Sequence, residues 1–331
     1  MKLLITGGAG FLGARLAAEI LARGSLAGRP LDRLVLADLA PPADERLRND
    51  PRVECRSGPL LSMTEALKAE PFDGIFHLAS AVSGECEADF DLGLRSNLDS
   101  TRALLDACRA AGNVPRFVFA SSVAVFGSDP AFPLPATVRD ETLPTPQSSY
   151  GIHKLICEQL VADYTRKGFV DGRAARLMTV SVRPGRPNGA ASSFLSGMLR
   201  EPLAGARARC PVAPDTAVAL ASPANTVAGL IRAASASAAE WGARTAVNLP
   251  ALTTTVREMA AALERVAGPE ALARIDWEPD ARIAGIVTSW PSRIHAARAE
   301  ALGLRADTSF DAILRGYLNE NPQAVRLPLK G

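Results

Sequence analysis

The sequence of 331 residues predicts an α/β fold, a doubly wound parallel sheet followed by a smaller, mostly helical C-terminal part. Short apolar runs alternate with longer helical patterns through the first 120 residues, as they do in a sheet that is wound in both directions. Several runs, such as FVFA within Arg116–Ala120, are apolar throughout, so we expect helices on both faces of the sheet. Beyond residue 180 the pattern changes to Ala-rich helices separated by short strands.

The individual elements follow from these patterns and from the turn residues between them. Strands are predicted at Lys2–Thr6, Arg33–Asp38, Val53–Cys55, Gly74–Leu78, Arg116–Ala120 and Ala174–Val182. Helices are predicted at Leu12–Arg23, Met63–Ala69, Leu94–Ala111, Ser148–Arg166, Thr226–Ala239, Val256–Ala267, His295–Ala301 and Phe310–Glu320. We expect residues 1–180 to form one domain around the sheet. Residues 181–331 are expected to form a cap, with the chain crossing back to the sheet around residues 215–250.

Composition and charge exclude several classes of protein. The 37 basic and 35 acidic residues are intermixed and leave a net charge of +2, so no face for binding nucleic acid is expected. The apolar run at the N-terminus is too short for a signal peptide, and no stretch reaches the ~18 apolar residues of a membrane span. We therefore expect a cytoplasmic protein. The five cysteines form no C-x-x-C pair, so neither a metal site nor a disulfide framework is predicted.

A glycine-rich turn follows the first predicted strand. Gly7, Gly10 and Gly13 have the spacing G-x-x-G-x-x-G, and a predicted helix begins immediately beyond them. Glycine lets a phosphate approach the backbone N–H groups, and the helix N-terminus adds the positive end of its dipole. The alternative is a tight turn that binds nothing. Because a strand precedes the glycines and a helix follows them, as a dinucleotide site requires, we predict such a site here.

The second predicted strand ends in an acidic residue, Asp38. In sheets of this type a carboxylate at that position hydrogen-bonds the adenosine ribose. The negative charge would repel a 2′-phosphate, and neither of the next two residues, Leu39 and Ala40, is an arginine that could bind one. The sequence therefore predicts NAD rather than NADP as the cofactor.

A tyrosine and a lysine share one face of a predicted helix. Tyr150 and Lys154 are four residues apart, so their side chains lie side by side. A tyrosine titrates near ~10 in water, and an adjacent ammonium group favours its anion, the form that can act as a base. Ser122 follows the predicted strand that ends at Ala120, and a hydroxyl there lies over the crevice where ligands bind. We predict that these three side chains carry out the chemistry.

Several segments together identify a family. TGGAGFLG, HLAS, Asn97, SSVAVFG and YGIHK resemble the extended short-chain dehydrogenase/reductases, the NAD-dependent epimerase/dehydratase group, along the whole chain. The resemblance implies a Rossmann-type NAD-binding domain and a catalytic triad of Ser122, Tyr150 and Lys154. It implies a cofactor site of Gly7, Gly10, Phe11, Leu12, Gly13, Asp38, Leu60, Leu78, Ala79, Ser80, Asn97, Ser121, Tyr150, Lys154 and Met178.

Several positions depart from the family pattern, among them Phe126, where many relatives have tyrosine. Gly58-Pro59 stands where most relatives have Gly-Asp, whose carboxylate holds the adenine amine, so that contact is expected to be lost. Met178 stands where a proline is frequent, near the expected nicotinamide site. Ala124 removes a hydroxyl found in sugar-nucleotide epimerases, which argues against a nucleotide-sugar substrate.

Other segments resemble a narrower branch of the family. AVSGECEADFDLGLRSNLDSTR, TPQSSYGIHK, SVRPGRPNGAASSF and CPVAPDT resemble the members that oxidise the C2 hydroxyl of D-erythronate, a four-carbon aldonic acid, to the 2-keto acid. A small anionic substrate needs a cation for its carboxylate, and Arg183 and Arg186 are the candidates. The expected substrate residues are Ser83, Ser122, Tyr150, Arg183, Asn188 and Ser193.

Two other functions remain open from the sequence. A sugar-nucleotide epimerase or dehydratase would use the same triad and recycle NAD within each turnover, and a non-catalytic NAD-sensing module would use only the cofactor site. The family also pairs the helices equivalent to Leu94–Ala111 and Ser148–Arg166 between subunits, which implies a homodimer. His77 is expected to be a core histidine at a strand end and His153 a solvated helix residue, neither of them catalytic.

Overall fold

The computed structural model describes residues 1–185 and 189–327, and its largest sheet has seven parallel strands. We label them in chain order as β1 Lys2–Thr6, β2 Arg33–Asp38, β3 Val53–Ser57, β4 Gly74–His77, β5 Arg116–Ser122, β6 Asp171–Leu177 and β7 Val247–Asn248. Their order across the sheet is β7-β6-β5-β4-β1-β2-β3, and every neighbouring pair is parallel. The predicted doubly wound parallel sheet is confirmed.

The apolar runs become the buried middle of the sheet. Leu3, Leu4 and Ile5 of β1 have no exposed surface, and Gly74–His77 of β4 is buried at every residue. A strand that is covered on both faces has no solvated side, and this is why these runs do not alternate with polar residues. The bounds of β1 and β2 were predicted correctly, whereas β3 and β5 each continue two residues further than predicted.

The direction of winding reverses between β1 and β4. From β1 the chain proceeds outward to β2 and β3, and it then returns to place β4 on the opposite side of β1. In open sheets of this kind ligands bind beyond the carboxyl ends of the strands, at the point of reversal. The loops that follow β1 and β4 therefore form the expected ligand crevice.

Helices occupy the connections between the strands. They are α1 Phe11–Arg23, α2 Glu45–Asn49, α3 Leu60–Lys68, α4 Ser83–Ala88, α5 Phe90–Gly93, α6 Ser100–Ala111 and α7 Ser149–Arg166, with a short hairpin of Ser25–Leu26 and Arg29–Pro30 and a 3₁₀ turn at Val123–Val125. The helix predicted at Leu94–Ala111 is only partly correct, because Leu94–Asp99 is a π-helix. Such a turn inserts one residue into the helical repeat, so the 3.6-residue periodicity of the sequence does not reveal it.

The strand predicted at Ala174–Val182 is wrong in both bounds. It begins at Asp171, whose N–H donates to the carbonyl of Pro115, and it ends at Leu177. Thr179–Val180 is a separate strand that pairs with Ala217–Ala221 in another sheet. The break falls at Met178, where the chain leaves one sheet and enters another, and an uninterrupted apolar pattern cannot show such a change.

The contact pattern divides the chain into two compact units, each built from three stretches. Unit 1 comprises Met1–Val125, Ser148–Leu177 and Val227–Asn248, and unit 2 comprises Phe126–Gln147, Met178–Thr226 and Leu249–Gly331. Each unit has its own buried core. Leu4, Phe117 and Phe119 belong to the core of unit 1, and Leu199 and Leu263 belong to that of unit 2.

The later part of the chain contains small sheets and most of the remaining helices. The sheets are Thr179–Val180 with Ala217–Ala221 and Leu252–Thr255, Ala208–Cys210 with Ile275–Trp277, and Val138–Arg139 with Ile294–His295. The helices are α8 Phe194–Leu203, α9 Pro223–Ser235, α10 Ala238–Trp241, α11 Val256–Ala267, α12 Pro269–Leu272, α13 Ala281–Ser289, α14 Ala297–Ala301 and α15 Phe310–Glu320, with a 3₁₀ turn at Pro322–Ala324. The predicted bounds of α11 and α15 are confirmed. The single helix predicted at Thr226–Ala239 is wrong, since Ser237 caps a new helix by accepting the N–H of Glu240 at 3.2 Å.

Candidate dinucleotide and catalytic site

The glycine turn leaves no room for side chains at two of its positions. Gly7 has φ of 72°, and a Cβ placed there would lie 2.8 Å from the backbone nitrogen of Ala79. A Cβ on Gly13 would overlap the carbonyl oxygen of Gly7. The turn therefore packs directly against the loop that follows β4 and against the first turn of α1, which is the close backbone approach that a pyrophosphate-binding turn needs.

Helix α1 begins at Phe11 immediately after this turn. Its N-cap residue is Gly10, and no side chain caps the first turn. The N–H groups of the first helical residues, which include Leu12 and Gly13, are those that an α-helix leaves without an internal partner. With the positive end of the helix dipole they form a site that suits an anion such as a pyrophosphate.

The Asp38 carboxylate reaches back to the glycine turn. Its Oδ2 accepts the N–H of Ala9 at 2.9 Å, and its Oδ1 accepts the N–H of Leu39 at 2.7 Å. An ionised carboxylate has about four acceptor positions, so the two ribose hydroxyls can still be accommodated. The N–H of Gly58 donates to the carbonyl of Asp38 at 2.9 Å, which fixes the start of α3 at Leu60 beside this strand end.

The loop after β4 is held by the side chain of Asn97. The Oδ1 atom of Asn97 accepts the N–H of Ala81 at 2.7 Å and the hydroxyl of Ser80 at 3.0 Å, and its Nδ2 donates to the carbonyl of Ala81 at 3.2 Å. Leu78 is anchored through its N–H to the carbonyl of Thr6 at 3.1 Å. Asn97 lies in the π-helix, and turns of this type are frequent at functional sites.

Tyr150 and Lys154 lie in the first turns of α7. Ser148 caps this helix by accepting the N–H of Gly151 at 3.2 Å, and the Glu87 carboxylate accepts the N–H of Ser149 at 2.8 Å. These contacts fix where the helix begins. The Nζ atom of Lys154 lies 5.6 Å from the centroid of the Tyr150 ring, so the two side chains share one face as predicted.

The Lys154 ammonium is buried at the end of β5. It donates to the carbonyl of Ala120 at 2.9 Å and lies 5.0 Å from the centroid of the Phe119 ring. Burial lowers the pKa of Lys154 to about 8. Ser122 is the last residue of β5, two residues beyond the carbonyl that holds Lys154. Its Oγ accepts the N–H of Ala124 at 3.1 Å, so that its proton can donate to a substrate oxygen.

A buried ion pair, which the sequence analysis missed, lies one turn beyond Lys154. Glu158 and Arg176 form a two-pronged contact, with Nε to Oε1 at 2.9 Å and Nη2 to Oε2 at 2.7 Å, and both residues are buried. The Ser121 hydroxyl donates to the same carboxylate at 2.5 Å. Ser121, predicted as a cofactor residue, therefore directs its side chain to Glu158 in the interior. The pair joins α7, β5 and β6 at the level of the predicted triad.

The two histidines of unit 1 are both buried. His77 is a core histidine at a strand end, as predicted. The prediction that His153 is solvated is wrong, because α4 and α5 cover that side of α7 and leave only 2% of His153 exposed. The ring of His153 lies 6.3 Å from that of Phe90, and burial lowers its pKa.

Most of the predicted substrate residues lie in the described part of the chain, and each can be located within its own unit. Ser83 is buried at the start of α4 in unit 1. In unit 2, the N–H of Arg183 donates to the hydroxyl of Ser196 at 3.0 Å, and its carbonyl accepts from Arg200 at 2.9 Å. Ser193 is the N-cap residue of α8. Asn188 and Arg186 lie outside the described residues, and Met178, a predicted cofactor residue, is buried in unit 2.

Among residues 1–185 and 189–327, no cluster of histidine, cysteine, aspartate or glutamate side chains is suited to hold a metal ion. Within the same residues, no helix combines the length and the apolar character that crossing a membrane requires.

Comparison with known proteins assigns the family. Residues 3–218 match the model of the NAD dependent epimerase/dehydratase family, and the chain belongs to this family. It is 49% identical to D-erythronate dehydrogenase of Cupriavidus necator over 326 residues, which cover 97% of this chain and 98% of the relative. It is 43% identical to D-erythronate dehydrogenase of Haemophilus influenzae over 320 residues, 96% of this chain and 99% of the relative. The family and these relatives make the chain an NAD-dependent oxidoreductase.

Solved structures share the fold. A nucleoside-diphosphate-sugar epimerase from Agrobacterium tumefaciens superposes with a TM-score of 0.90 at 41% identity. The superposition covers 98% of this chain and 95% of the epimerase chain. L-threonine 3-dehydrogenase from Trypanosoma brucei superposes with a TM-score of 0.85 at 23% identity, with 98% of each chain covered. The second likeness concerns the fold alone.

The glycine turn provides a first prediction. Gly13→Ala is expected to abolish detectable NAD binding in isothermal titration calorimetry, because the new Cβ overlaps the Gly7 carbonyl and must displace the turn. Gly285→Ala is the matched control, a helical glycine whose added Cβ would have no neighbour within 4 Å. NAD affinity of Gly13→Ala equal to that of Gly285→Ala would contradict the assignment of the turn.

The buried ion pair provides a second prediction. Glu158→Gln leaves the Arg176 guanidinium without a charged partner in the interior, so the free energy of unfolding should fall by about 3–5 kcal/mol. Asp163→Asn, which breaks the exposed pair of Asp163 and Arg166 on the same helix, should cost less than about 1 kcal/mol. Urea denaturation of both variants measures the difference, and equal losses would show that the buried pair contributes no more than a surface one.

Proposed function

We propose that this chain oxidises the C2 hydroxyl of D-erythronate to 2-dehydro-D-erythronate, with NAD as the hydride acceptor. The observation that carries the proposal is the identity of 49% and 43%, over nearly the whole chain, to two D-erythronate dehydrogenases. The buried Lys154 on α7, beside Tyr150 and close to the strand end that carries Ser122, independently supports hydride-transfer chemistry of this kind.

The residues of unit 1 fit a dinucleotide. Gly7, Gly10, Gly13 and the N-terminus of α1 would hold the pyrophosphate, since a side chain at Gly7 or Gly13 would fill the space needed. Asp38 would accept the ribose hydroxyls and reject a 2′-phosphate, which favours NAD over NADP. Phe11, Leu12, Leu60, Leu78, Ala79, Ser80, Asn97, Ser121 and Met178 complete the proposed cofactor residues. Residues 1–180 as the NAD-binding domain and 181–331 as the substrate-binding cap are likewise proposals.

The proposed chemistry is a proton abstraction coupled to hydride transfer. Bound NAD would supply the hydride acceptor at C4 of its nicotinamide. Tyr150, as the phenolate, removes the proton of the C2 hydroxyl. Lys154 favours the phenolate by its charge, and its burial strengthens this effect because little water screens the two groups. The Ser122 hydroxyl donates a hydrogen bond to the reacting oxygen and keeps it near Tyr150.

The carboxylate of an aldonic acid requires a cation, and we propose Arg183 for this role. Its backbone is held on both sides, by Ser196 and by Arg200, so its position within unit 2 is well determined. Ser83, Asn188 and Ser193 are proposed as hydrogen-bonding partners of the remaining hydroxyls.

One comparison favours a second function. The epimerase from Agrobacterium tumefaciens, named for nucleoside-diphosphate sugars, is 41% identical and shares 98% of this chain. An epimerase would use Ser122, Tyr150 and Lys154 in the same way and would return the hydride to the substrate in the same turnover. The two functions differ in whether NADH accumulates.

The third prediction tests the reaction. Purified protein with NAD and D-erythronate should accumulate NADH, measured by its absorbance, and NADP should support a slower rate because of Asp38. Tyr150→Phe should lower kcat by about 10²–10⁴-fold or more, since it removes the base, while NAD affinity changes little. Tyr164→Phe is the matched control, because the Tyr164 hydroxyl contacts Asp106 rather than Lys154.

Two outcomes of this experiment would overturn the proposal. The substrate assignment fails if no four-carbon aldonic acid yields NADH and a nucleotide sugar is converted without net NADH. The role of Tyr150 fails if Tyr150→Phe retains the rate of Tyr164→Phe.

The fourth prediction concerns pH. Because burial lowers the pKa of Lys154 to about 8, its Nζ carries a charge below that pH and loses it above. We expect kcat/KM for NAD, which reports ionisations of the free enzyme, to fall as pH rises through about 8. Lys154→Arg keeps its charge at all these pH values, so its slower activity should lack this decline. An identical decline in the variant would assign it to another group.

We also propose a homodimer that pairs α6 and α7 between subunits. Ile152 and Ile156, one turn apart on α7, are 45% and 39% exposed, and Phe90 on α5 is 61% exposed. A dimer contact would cover this apolar surface. Light scattering of the purified protein tests it, and a monomer mass at micromolar concentration would refute it. A cytoplasmic location remains a prediction from the sequence.

A further inference from the structure

A closed ring of hydrogen bonds lies at the carboxyl ends of β1 and β4. The Oγ1 atom of Thr6 is 2.6 Å from Nδ1 of His77, and Nε2 of His77 is 2.8 Å from Oγ1 of Thr101. Thr101 in turn donates to the carbonyl of Asn97 at 2.5 Å. We call this set, together with the loop of residues 78–81, the His77 ring.

The loop closes the ring. The Asn97 side chain binds Ser80 and both backbone groups of Ala81. Two residues earlier, the N–H of Ala79 donates to Oγ1 of Thr6 at 3.3 Å, which returns to the starting side chain. Thr6, His77, Thr101 and Asn97 are all at least 97% buried, so water does not substitute for these contacts.

The direction of each hydrogen bond is determined by the hydroxyl groups. Thr101 has one hydroxyl proton and gives it to the carbonyl of Asn97, four residues earlier on the helix, so its oxygen must accept from His77. Because burial keeps His77 uncharged and its proton lies on Nε2, Nδ1 has a free lone pair, and Thr6, which accepts from Ala79, gives its own proton to that nitrogen. His77 is thus neutral, with its proton on Nε2 and a lone pair on Nδ1. Burial, aided by the Lys154 charge, lowers its pKa to about 3, which agrees with a ring that never carries a charge.

The ring adjoins the glycine turn. Thr6 is the last residue of β1 and immediately precedes Gly7, against which the peptide of Leu78 and Ala79 packs. The ring therefore determines how far the loop after β4 stands from the turn after β1, the two segments that flank the point where the sheet reverses. That spacing is the width of the proposed dinucleotide crevice.

We infer that His77 is a positioning residue for the cofactor: as its neutral Nε2–H tautomer it links Thr6 to Thr101 and presets the loop of residues 78–81 for NAD. The inference rests on the NAD site proposed above. The described hydrogen bonds of His77 go to Thr6 and Thr101, and we infer that it acts through them on Ala79 and Asn97. Because every hydrogen bond of the His77 ring joins groups of this chain, the ring itself fixes the position of the loop to which NAD would bind.

The first test is the tautomer of His77. The chain has only three histidines, so ¹⁵N-labelled histidine in the full-length protein gives a readable NMR spectrum, and His77→Gln assigns the signal. We expect a protonated Nε2, an unprotonated Nδ1 and no titration between pH 5 and 9. A proton on Nδ1, or titration near the ordinary ~6.5 of histidine, would overturn the inference.

The second test separates hydrogen bonding from shape. Thr101→Val keeps the side-chain shape and removes both hydrogen bonds, so the dissociation constant for NAD should rise about ten-fold, while Thr101→Ser should stay within about two-fold of the wild type. Thr6→Val should likewise raise the dissociation constant for NAD, and Thr6→Ser should leave it close to the wild-type value. Thr226→Val is the matched control, because Thr226 is equally buried and donates to a carbonyl four residues earlier, outside the ring. It should lose stability without losing NAD affinity.

The outcomes distinguish this inference from the proposed function. The two tests measure the NMR spectrum of His77 and the dissociation constant for NAD, and neither requires the enzyme to turn over a substrate. Valine variants that bind NAD as tightly as the serine variants would overturn the role of His77 even if D-erythronate is oxidised. Conversely, a ten-fold loss in the valine variants of a protein that does not act on D-erythronate would support the ring and reject the substrate.

Discussion

The buried ammonium of Lys154 is the constraint around which the end of unit 1 that carries the proposed triad is organised. An isolated charge in the interior is costly, and it persists only with hydrogen bonds and compensating groups around it. The structure supplies the Ala120 carbonyl and the faces of two aromatic rings, those of Phe119 and Tyr150. Glu158, one turn further along α7, favours the charged form. The same ammonium that would activate Tyr150 thus also depends on Ala120, Phe119 and Glu158, which lie outside the proposed triad.

This constraint also accounts for two neighbouring features. Glu158 would be a second uncompensated charge without Arg176, so the ion pair and the Ser121 hydrogen bond follow from its position. His77 remains neutral chiefly because burial lowers its pKa, and the nearby Lys154 charge lowers it further. Burial and the Lys154 charge thus act in the same direction on His77, and the hydrogen-bond directions of the His77 ring agree with a neutral imidazole.

The sequence predicts most of the sheet because burial on both faces produces an unmistakable pattern. The apolar runs predicted the first and last residues of β1 and β2 correctly. The glycines and Asp38 pointed to the crevice at the ends of these strands. The missed features have tertiary causes. Glu158 and Arg176 are 18 residues apart, and only the fold brings them together. His153 occupies a helix position that α4 and α5 happen to cover, and the π-helix adds a residue that periodicity cannot register.

The choice between a dehydrogenase and an epimerase cannot come from the triad, since either reaction needs the same base, cation and hydroxyl donor. It has to come from contacts to the rest of the substrate. Position 124, at which the sequence resemblance places a hydroxyl in sugar-nucleotide epimerases, carries a buried alanine, of which only 3% is exposed. Arg183, whose backbone is held by Ser196 and Arg200, is instead the cation proposed for a small carboxylate. Under the proposed function both observations favour a sugar acid, and the determinants of specificity would then lie outside the proposed triad.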